Sequence, residues 1–339
     1  MPYTLKPFNE FAKIDNLYES WRQFRSGKRE RNDVVIFERY LESELTKLSD
    51  ELLAETYRHS IYHNFFVRDP KYRAIHKASV RDRVVHQALY DVLYPLFDSR
   101  FYFDSYSSRF NKGTQAAVAR IWEFLGKESL NFTREAYVFH GDVSNFFASV
   151  DHGILLGLVA RKIKDKNYLQ LCRTIINSFD LGNGSGVPLG NLTSQVFANI
   201  YLHELDYFVK QKLKIRYYAR YNDDFFVVSA DKNSLMETSM ITKEFLSSNL
   251  RLTVPDDKII IRSLGNGVDI LGCVAFPYGL VPRKRIRKAA LAVADKAAKT
   301  GYNSNIGKQL NSYIGLLGNT KSFLLRERLR LSLKDYQPV

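Results

Sequence analysis

The sequence predicts an α+β fold that contains an antiparallel sheet. Residues 8–58 and several later segments repeat apolar residues at helical spacing, and residues 215–228 have the pattern of a β-hairpin. In this hairpin, runs of aromatic and β-branched residues flank Asn222 and Asp223, a pair that suits a tight turn. The turn would place Asp223 and Asp224 at the lip of a sheet, although Asn and Asp are also ordinary turn residues.

The composition is that of a folded and strongly basic chain. Hydrophobic residues make up 45% of the 339 residues and aromatic residues 14%, which is enough for a sizeable core in one large domain or a few medium ones. The 50 basic residues exceed the 36 acidic residues and give a net charge of +14. A folded chain with this charge is expected to bind a polyanion, most often nucleic acid, with an anionic membrane surface as the alternative.

Two further features bear on the location of the protein. No run of about 18 apolar residues is present, and residues 1–10 have no signal-peptide core, so we expect no membrane partner. Cys172 and Cys273 are isolated from each other and from other metal-ligating residues. They suit a reducing cytoplasm and predict neither a disulfide nor a zinc site.

The N-terminal part is expected to be helical and then to form a basic hairpin. Residues 8–58 predict helices, interrupted by a basic cluster at 25–31 that is either a solvated loop or a phosphate contact. Residues 61–77 predict two short strands joined at Asp69-Pro70, with basic side chains suited to hold phosphates. Those side chains are Arg68, Lys71, Arg73 and Lys77.

The middle of the chain predicts a helix, a core strand and a second helix. Ser79 and Asp82 form a capping-box pattern that begins a helix, and Pro95 is expected to end it. A further helix is predicted at 113–124. Residues 137–142 then predict a buried strand that delivers Asp142 at its end, a common position for a functional carboxylate.

The second half begins with a glycine-rich loop at 182–186 and continues to a long helix predicted at 196–212. After the aspartate hairpin we expect a helix at 235–250, a strand that carries Lys258 and a hairpin at 269–276. The composition changes near residue 280, where basic and alanine-rich helices begin, so a domain boundary is predicted there.

Three aspartates dominate the predicted chemistry: Asp142, Asp223 and Asp224. They follow or precede strands that can pair in one antiparallel sheet. Clustered carboxylates repel one another unless cations neutralise them, and Mg²⁺ prefers oxygen ligands and substrate phosphates. Two such ions can activate an attacking hydroxyl and stabilise a leaving oxygen in phosphoryl transfer. On a basic chain this combination indicates a nucleotide polymerase or a nuclease.

Three motifs in the sequence resemble those of the reverse transcriptase family. YNDD at 221–224 is similar to the family's tyrosine-x-Asp-Asp motif. GDVSNFF at 141–147 is similar to its first aspartate motif, which ends in an aromatic residue. VPLGNLTSQ at 187–195 is similar to the motif before the nucleotide-site helix.

Further segments extend the resemblance over nearly the whole chain. Arg73 matches the arginine that grips the triphosphate, and Lys258 fits, less closely, the motif with a lysine near the leaving pyrophosphate. Residues 269–276 resemble the primer grip, and 283–334 resemble a helical thumb. Each match is weak alone, but together they occur in the family's order.

The resemblance implies a right-hand polymerase fold with fingers, a palm that contains the antiparallel sheet, and a helical thumb. The implied domains are N-terminal helices and part of the fingers at 1–135, a palm at 136–280 and a thumb at 281–339. A fingers insertion is expected within the palm around residues 160–195.

The resemblance also implies an RNA-directed DNA polymerase whose substrates are template RNA, a primer or growing cDNA, and dNTPs. Asp142 and Asp223 would hold two Mg²⁺ ions with the help of Asp224, and the primer 3′-hydroxyl would attack the α-phosphate of the dNTP. The implied nucleotide-binding residues are Lys71, Arg73, Phe147, Leu189, Gly190, Gln195 and Lys258. The implied nucleic-acid-binding residues are Tyr221, Arg283, Lys284, Arg285 and Arg287.

Phe147 has two interpretations. By resemblance it stacks below the sugar and would clash with a 2′-hydroxyl; alternatively, Phe146 and Phe147 simply pack the corner between a strand and a helix. Two other classes of protein also remain open. A non-catalytic RNA-binding protein would not need the carboxylates, and a nuclease would need neither a Phe147 gate nor the Leu189-Gly190 segment.

Within the family, the sequence is most similar to reverse transcriptases of diversity-generating retroelements. Group II intron enzymes usually carry Gln-Gly and Ser-Pro in the third motif, whereas this chain has Leu189-Gly190 and Ser194-Gln195. The subclass implies error-prone copying at template adenines and a small basic accessory protein that helps to bind the RNA. Retron-like and antiviral defence-associated enzymes are the alternatives. Asn222 departs from the apolar residue that is more common at its position.

Overall fold

The computed structural model describes residues 4–68, 72–300 and 303–334. Its helices are α1 (Phe8–Phe11), α2 (Ile14–Arg25), α3 (Asn32–Arg39), α4 (Leu41–Leu53), α5 (Val80–Asp98), α6 (Thr114–Glu128), α7 (Phe146–Ser149), α8 (His152–Ala160), α9 (Lys166–Asn177), α10 (Leu192–Tyr207), α11 (Lys232–Leu250), α12 (Lys284–Thr300), α13 (Ser304–Leu316) and α14 (Phe323–Lys334). Its strands are β1 (His63–Arg68), β2 (Tyr72–Lys77), β3 (Tyr137–Asp142), β4 (Tyr218–Tyr221), β5 (Asp224–Ser229), β6 (Ile259–Ser263), β7 (Val268–Ile270), β8 (Cys273–Phe276) and β9 (Gly279–Pro282).

The described residues fall into two compact units. The first unit is drawn from residues 1–103, 143–208 and 243–254, and the second from 104–142, 209–242 and 255–339. Each unit is therefore assembled from separated stretches of chain. The division into 1–135, 136–280 and 281–339 stays a prediction.

The first unit is built around α5. The Ser79 hydroxyl accepts a hydrogen bond from the backbone N–H of Asp82 at 3.1 Å, as the capping-box pattern predicts. The helix does not end at Pro95, as we expected, but continues to Asp98. A proline removes one backbone N–H donor from a helix and crowds the preceding turn. Here Phe97 is buried, and its packing stabilises the last turn of α5.

The antiparallel hairpin β1–β2 also belongs to the first unit. Its strands pair from His63 with Lys77 to Arg68 with Tyr72, which confirms the two strands predicted within 61–77. The turn residues Asp69, Pro70 and Lys71 lie outside the described part of the chain.

The second unit contains an antiparallel sheet in the order β4-β5-β3-β6. Strand β5 is buried along Phe225, Phe226, Val227 and Val228, because both faces of a central strand are covered. One face shares a core with α6, whose apolar side chains include Val118, Ile121 and Leu125. The predicted aspartate hairpin is confirmed, with Asn222 and Asp223 as its turn.

Several predicted boundaries were wrong. Helix α10 begins at Leu192 rather than 196, and residues Phe208–Lys212 form a single wider π-helical turn instead of continuing it. Lys258 does not lie on a strand but closes the short 3₁₀ turn Asp256–Lys258 before β6. Pro255 precedes that turn, and its fixed φ suits the start of a turn rather than a central strand.

The second unit also contains a small antiparallel sheet, β7-β8-β9, followed by three helices. The hairpin expected at 269–276 is therefore two strands of a three-stranded sheet. Helices α12, α13 and α14 have their own apolar core, formed by alanines of α12 together with side chains such as Leu310, Leu317 and Leu329. Among the described helices, none is long and apolar enough to cross a lipid bilayer.

Candidate active site

The register of β3 and β5 places two of the three aspartates directly opposite each other. Asp142 ends β3, Asp224 begins β5, and the two are cross-strand partners. Directly opposed residues in an antiparallel pair have Cα atoms about 4.5–5.5 Å apart. Asp223 occupies the turn immediately before Asp224, so all three carboxylates meet at one end of the sheet.

Two of these carboxylates each have a nitrogen donor. The ammonium of Lys258 lies 2.7 Å from Oδ2 of Asp142, and Nε2 of His140 lies 2.8 Å from Oδ1 of Asp224. Since a carboxylate only accepts, His140 carries its proton on Nε2. The imidazole also stacks on Phe226, with ring centroids 4.6 Å apart and planes 7° from parallel. His140 therefore has a fixed orientation toward Asp224.

Asp223 is the electrostatically strained member of the cluster. Burial, followed by the charges of Asp224 and Asp142, raises the pKa of the Asp223 carboxyl to about 6. The Asn222 amide donates to Oδ1 of Asp223 at 2.6 Å and opposes part of this shift. The cluster thus carries more negative charge than its own protein donors neutralise.

A buried arginine holds the turn. Arg220 is only 1% exposed, and its guanidinium donates to the Asn222 carbonyl at 3.0 Å and to the Ser105 hydroxyl at 3.1 Å. Its backbone N–H also donates to the carbonyl of Asp104 at 2.9 Å. These contacts fix the backbone of the turn and hence the direction in which Asp223 points.

The donor set fits a hard divalent cation, because three clustered carboxylates offer oxygen ligands and excess charge. Within residues 4–68, 72–300 and 303–334, the side-chain positions bring together no group of three or more His, Cys, Asp or Glu residues that could hold a metal ion. Lys258, His140 and Asn222 each engage one carboxylate oxygen of the three aspartates.

The residues expected to contact the nucleotide divide between the units. Lys258 belongs to the second unit with the aspartates, whereas the other described candidates belong to the first. Arg73 is exposed on β2, Phe147 is half-buried on α7, and Gln195 is exposed on α10. Lys71 lies outside the described residues.

Phe147 and its neighbour differ in burial. Phe146 is buried, whereas Phe147 is only partly covered, with the two rings in an edge-on contact at 5.3 Å between centroids. The carbonyl of Phe147 accepts from the N–H of Val187 at 2.7 Å. Phe146 thus packs the corner, and the role of Phe147 as a gate stays a prediction.

The residues expected to contact nucleic acid lie in the second unit. The Tyr221 hydroxyl accepts a hydrogen bond from Thr114 at 3.0 Å. Arg283 forms an ion pair with Asp269 that joins the small sheet to the start of α12. Lys284, Arg285 and Arg287 are exposed on the first turns of α12. Cations at a helix N-terminus oppose the helix dipole, so this cluster is not explained by helix stability.

Two residues of the site, His140 and Arg220, were not predicted from the sequence. His140 lies two positions before Asp142, and the period-2 pattern of a strand puts both on the same face, so this signal was present in the sequence. Arg220 alternates with apolar residues and looks like an exposed position. Nothing in the sequence indicated that its guanidinium is buried.

A protein-family model matches more than half of the chain. Residues 67–275 match the model of the reverse transcriptase (RNA-dependent DNA polymerase) family. The chain belongs to the reverse transcriptase family. It is accordingly an enzyme of the RNA-dependent DNA polymerase class, a class that generally depends on divalent metal ions.

Two curated relatives illustrate the similarity. The protein YkfC of Escherichia coli (strain K12) is 26% identical over 271 residues, which cover 68% of this chain and 70% of that protein. The group II intron-encoded protein LtrA of Lactococcus lactis subsp. cremoris is 27% identical over 224 residues, or 63% of this chain. The match spans only 35% of LtrA.

Solved structures of telomerase share the fold. A telomerase from Candida albicans, solved with a fragment of telomeric RNA, superposes with a TM-score of 0.54 at 12% identity, covering 89% of this chain and 60% of that one. A truncated telomerase from Candida tropicalis gives a TM-score of 0.50 at 13% identity, covering 74% of this chain and 60% of that one. At such low identity the likeness shows the fold alone, which is the right-hand polymerase fold predicted from the sequence.

Proposed function

We propose that the chain copies an RNA template into cDNA by two-metal-ion nucleotidyl transfer, with Asp142 and Asp223 as metal ligands and Asp224 assisting. The register that sets Asp142 opposite Asp224, with Asp223 in the adjoining turn, carries this proposal. Two Mg²⁺ ions bound there would activate the attacking primer hydroxyl and stabilise the leaving oxygen. The raised pKa of the Asp223 carboxyl is consistent with a site completed by cations.

The protein side chains have complementary roles in this proposal. His140 and Arg220 orient Asp224 and the turn, so that the carboxylates do not have to reorganise during the reaction. Lys258, now paired with Asp142, supplies a positive charge within reach of the reacting phosphates. Arg73 on the exposed hairpin offsets the charge of the triphosphate.

The proposed partners are template RNA, primer or growing cDNA, and dNTPs. The exposed cations at the start of α12 and the net charge of +14 support a backbone-tracking contact with an A-form heteroduplex. The two cysteines, Cys172 and Cys273, are both free and buried, which suits the proposed cytoplasmic location.

Within the family we propose the error-prone enzyme of a diversity-generating retroelement. The support is the pair Leu189-Gly190 with Ser194-Gln195, where group II intron enzymes usually have Gln-Gly and Ser-Pro. This assignment implies a small basic accessory protein as a further partner. A retron-like or defence-associated reverse transcriptase is the alternative, and the adenine error rate separates the two.

The test is metal-dependent extension of a primed RNA template. Asp223→Asn should abolish extension with Mg²⁺ while leaving template binding nearly intact, because it removes one ligand charge from the site. Burial and like charges disfavour the ionised carboxylate, so the neutral amide should not lower the melting temperature. Asp50→Asn is the control, since it removes the same charge from an exposed position on α4. Extension by Asp223→Asn at the wild-type rate would refute the metal assignment.

A further inference from the structure

A short segment of the first unit is hydrogen-bonded along the end of β2. We call residues 189–193 the docking segment. The backbone N–H of His76 donates to the carbonyl of Leu189 at 3.0 Å, and the carbonyl of His76 accepts from Nδ2 of Asn191 at 2.9 Å. The backbone N–H of Ala78 donates to Oδ1 of Asn191 at 3.3 Å.

The side chain of Asn191 therefore bridges two backbone groups. One is the carbonyl of His76 on β2, and the other is the N–H of Ala78, which follows the strand. Asn191 is only 3% exposed, and both ends of its amide are satisfied by this bridge. A buried amide without partners costs roughly 1–3 kcal/mol. The amide orientation is also unique, because a flipped amide would set its oxygen against the His76 carbonyl and its nitrogen against the Ala78 N–H.

Gly190 lets the docking segment approach β2 closely. A Cβ built on Gly190 would lie 2.8 Å from Cγ2 of Ile75, and Gly190 has a φ of +106° that other residues rarely adopt. The glycine is thus required at the place where the segment touches the hairpin strand that carries Arg73.

The far end of the docking segment is fixed by a chain of buried histidines. The Thr193 hydroxyl lies 2.6 Å from Nδ1 of His86, and Nε2 of His86 lies 3.0 Å from Nε2 of His59. Nδ1 of His59 lies 2.6 Å from the Ser60 carbonyl, which only accepts. With both rings neutral, His59 carries its proton on Nδ1, His86 carries its own on Nε2, and the Thr193 hydroxyl donates to His86.

We propose that Asn191 is a positioning residue for the incoming nucleotide. It fastens the docking segment to β2, so that Leu189 on the segment and Arg73 on the strand keep one fixed spacing. This role rests on the proposed polymerase function, in which Leu189 and Arg73 contact the nucleotide. The Asn191 amide is engaged at both ends by backbone groups of the protein, so it acts through the segment that it holds.

The experiment compares Asn191→Ala and Asn191→Asp with the same two changes at Asn167, which is partly exposed on the first turn of α9. In single-nucleotide extension, the Asn191 variants should raise the KM for dNTP about tenfold, the equivalent of about 1.4 kcal/mol. Their kcat and their affinity for primed template should remain within about twofold. Asn191→Asp keeps the volume and the acceptor but replaces the donor by an oxygen that faces the His76 carbonyl, so it should show the shift without a cavity.

Hydrogen exchange gives a readout that does not depend on activity. In Asn191→Ala the amides of His76 and Ala78 should exchange about tenfold faster, while amides in β1 keep their wild-type rates. Provided that the wild type is active, two results would overturn the positioning role alone. One is an unchanged KM for dNTP in the Asn191 variants, and the other is the same KM shift in the Asn167 variants. A wild type that binds primed template but never extends it would overturn the proposed function as well.

Discussion

Gly141 and Phe225 are cross-strand partners, and the ring of Phe225 fills the space where a side chain on residue 141 would lie. A Cβ built on Gly141 would come within 2.6 Å of Cε2 of Phe225. Each residue adjoins a carboxylate of the candidate site, Gly141 before Asp142 and Phe225 after Asp224. The packing of this pair therefore sets the spacing of the two strands that present the carboxylates.

Gly141→Ala should damage both stability and activity. The methyl group cannot be accommodated without moving Phe225 or separating the strands, and overpacking of this kind typically costs about 1–3 kcal/mol. Urea unfolding should show the loss, and primer extension should fall further than the folded fraction does.

Gly157→Ala is the matched control for that change. Gly157 lies inside α8 with no neighbouring atom within 4 Å of an added Cβ. Alanine is favoured over glycine in a helix by up to about 1 kcal/mol, so this variant should be at least as stable as the wild type and equally active. Equal behaviour of the two variants would contradict the packing argument.

His140 should affect catalysis through Asp224 rather than through folding. His140→Phe keeps an aromatic ring to stack on Phe226 but removes the N–H that reaches Asp224. We expect extension at saturating Mg²⁺ to fall about tenfold, the size of one charge-assisted hydrogen bond, with little change in melting temperature.

His140→Gln is the rescue variant, because it restores an amide N–H donor but not the ring. It should recover part of the extension rate while melting at a lower temperature, since the stack is lost. If His140→Phe extends as fast as the wild type, the contact with Asp224 does not position the carboxylate for catalysis.

The sequence predicted the secondary structure that carries the site because local patterns encode it. Strand β3 delivers Asp142, and the turn at Asn222 and Asp223 joins two strands, as alternation and turn chemistry indicated. The opposition of Asp142 and Asp224 follows once these strands pair in register. The confirmed predictions are therefore those that depend on the two-residue period of a strand or on a turn residue.

The contacts between distant residues could not be predicted in the same way. Lys258 reaches Asp142 from a short turn more than a hundred positions away, and Arg220 is buried because residues 104–106 cover the edge of β4. Neither partnership has a signature in local spacing. Pro95 was misjudged for a related reason, since the burial of Phe97 outweighs the local cost of proline inside α5.

Acid should destabilise the first unit through its buried histidines. Burial, and then the neighbouring His59, lowers the pKa of His86 to about 3, and burial also lowers the pKa of His59. A histidine that is neutral in the native state but free to protonate when unfolded stabilises the fold above pH 6.5. That contribution is lost as the pH falls toward 3, at about 1.4 kcal/mol per pH unit.

The comparison of wild type with His86→Asn isolates this effect. The oxygen of Asn can accept from Thr193 in place of Nδ1, but it does not titrate. Between pH 7 and pH 5 the wild type should lose about 2 kcal/mol more unfolding free energy than the variant does. Parallel losses in urea unfolding at the two pH values would show that His86 is not the responsible group.

The last prediction concerns fidelity and rests on Leu189. This side chain has no hydrogen-bonding group, whereas a glutamine at the same position has an amide able to bond to the nucleotide. Loss of a hydrogen bond worth about 1 kcal/mol lowers the discrimination between correct and incorrect nucleotides several-fold. If Leu189 contacts the nucleotide, the wild-type enzyme should misincorporate often, above all opposite template adenine.

Leu189→Gln and Leu189→Asn should then lower the adenine error rate more than they lower total extension, because they add a directed bond without touching the carboxylates. Leu181→Gln is the control, since Leu181 is 56% exposed immediately before the glycine-rich loop of the same unit. The measurement is sequencing of cDNA made by each protein from one defined RNA template. Equal adenine error rates in wild type and the Leu189 variants would leave Leu189 with a packing role only, beside the backbone bond that its carbonyl accepts from His76. A uniformly accurate wild type would remove the diversity-generating assignment while leaving the polymerase function intact.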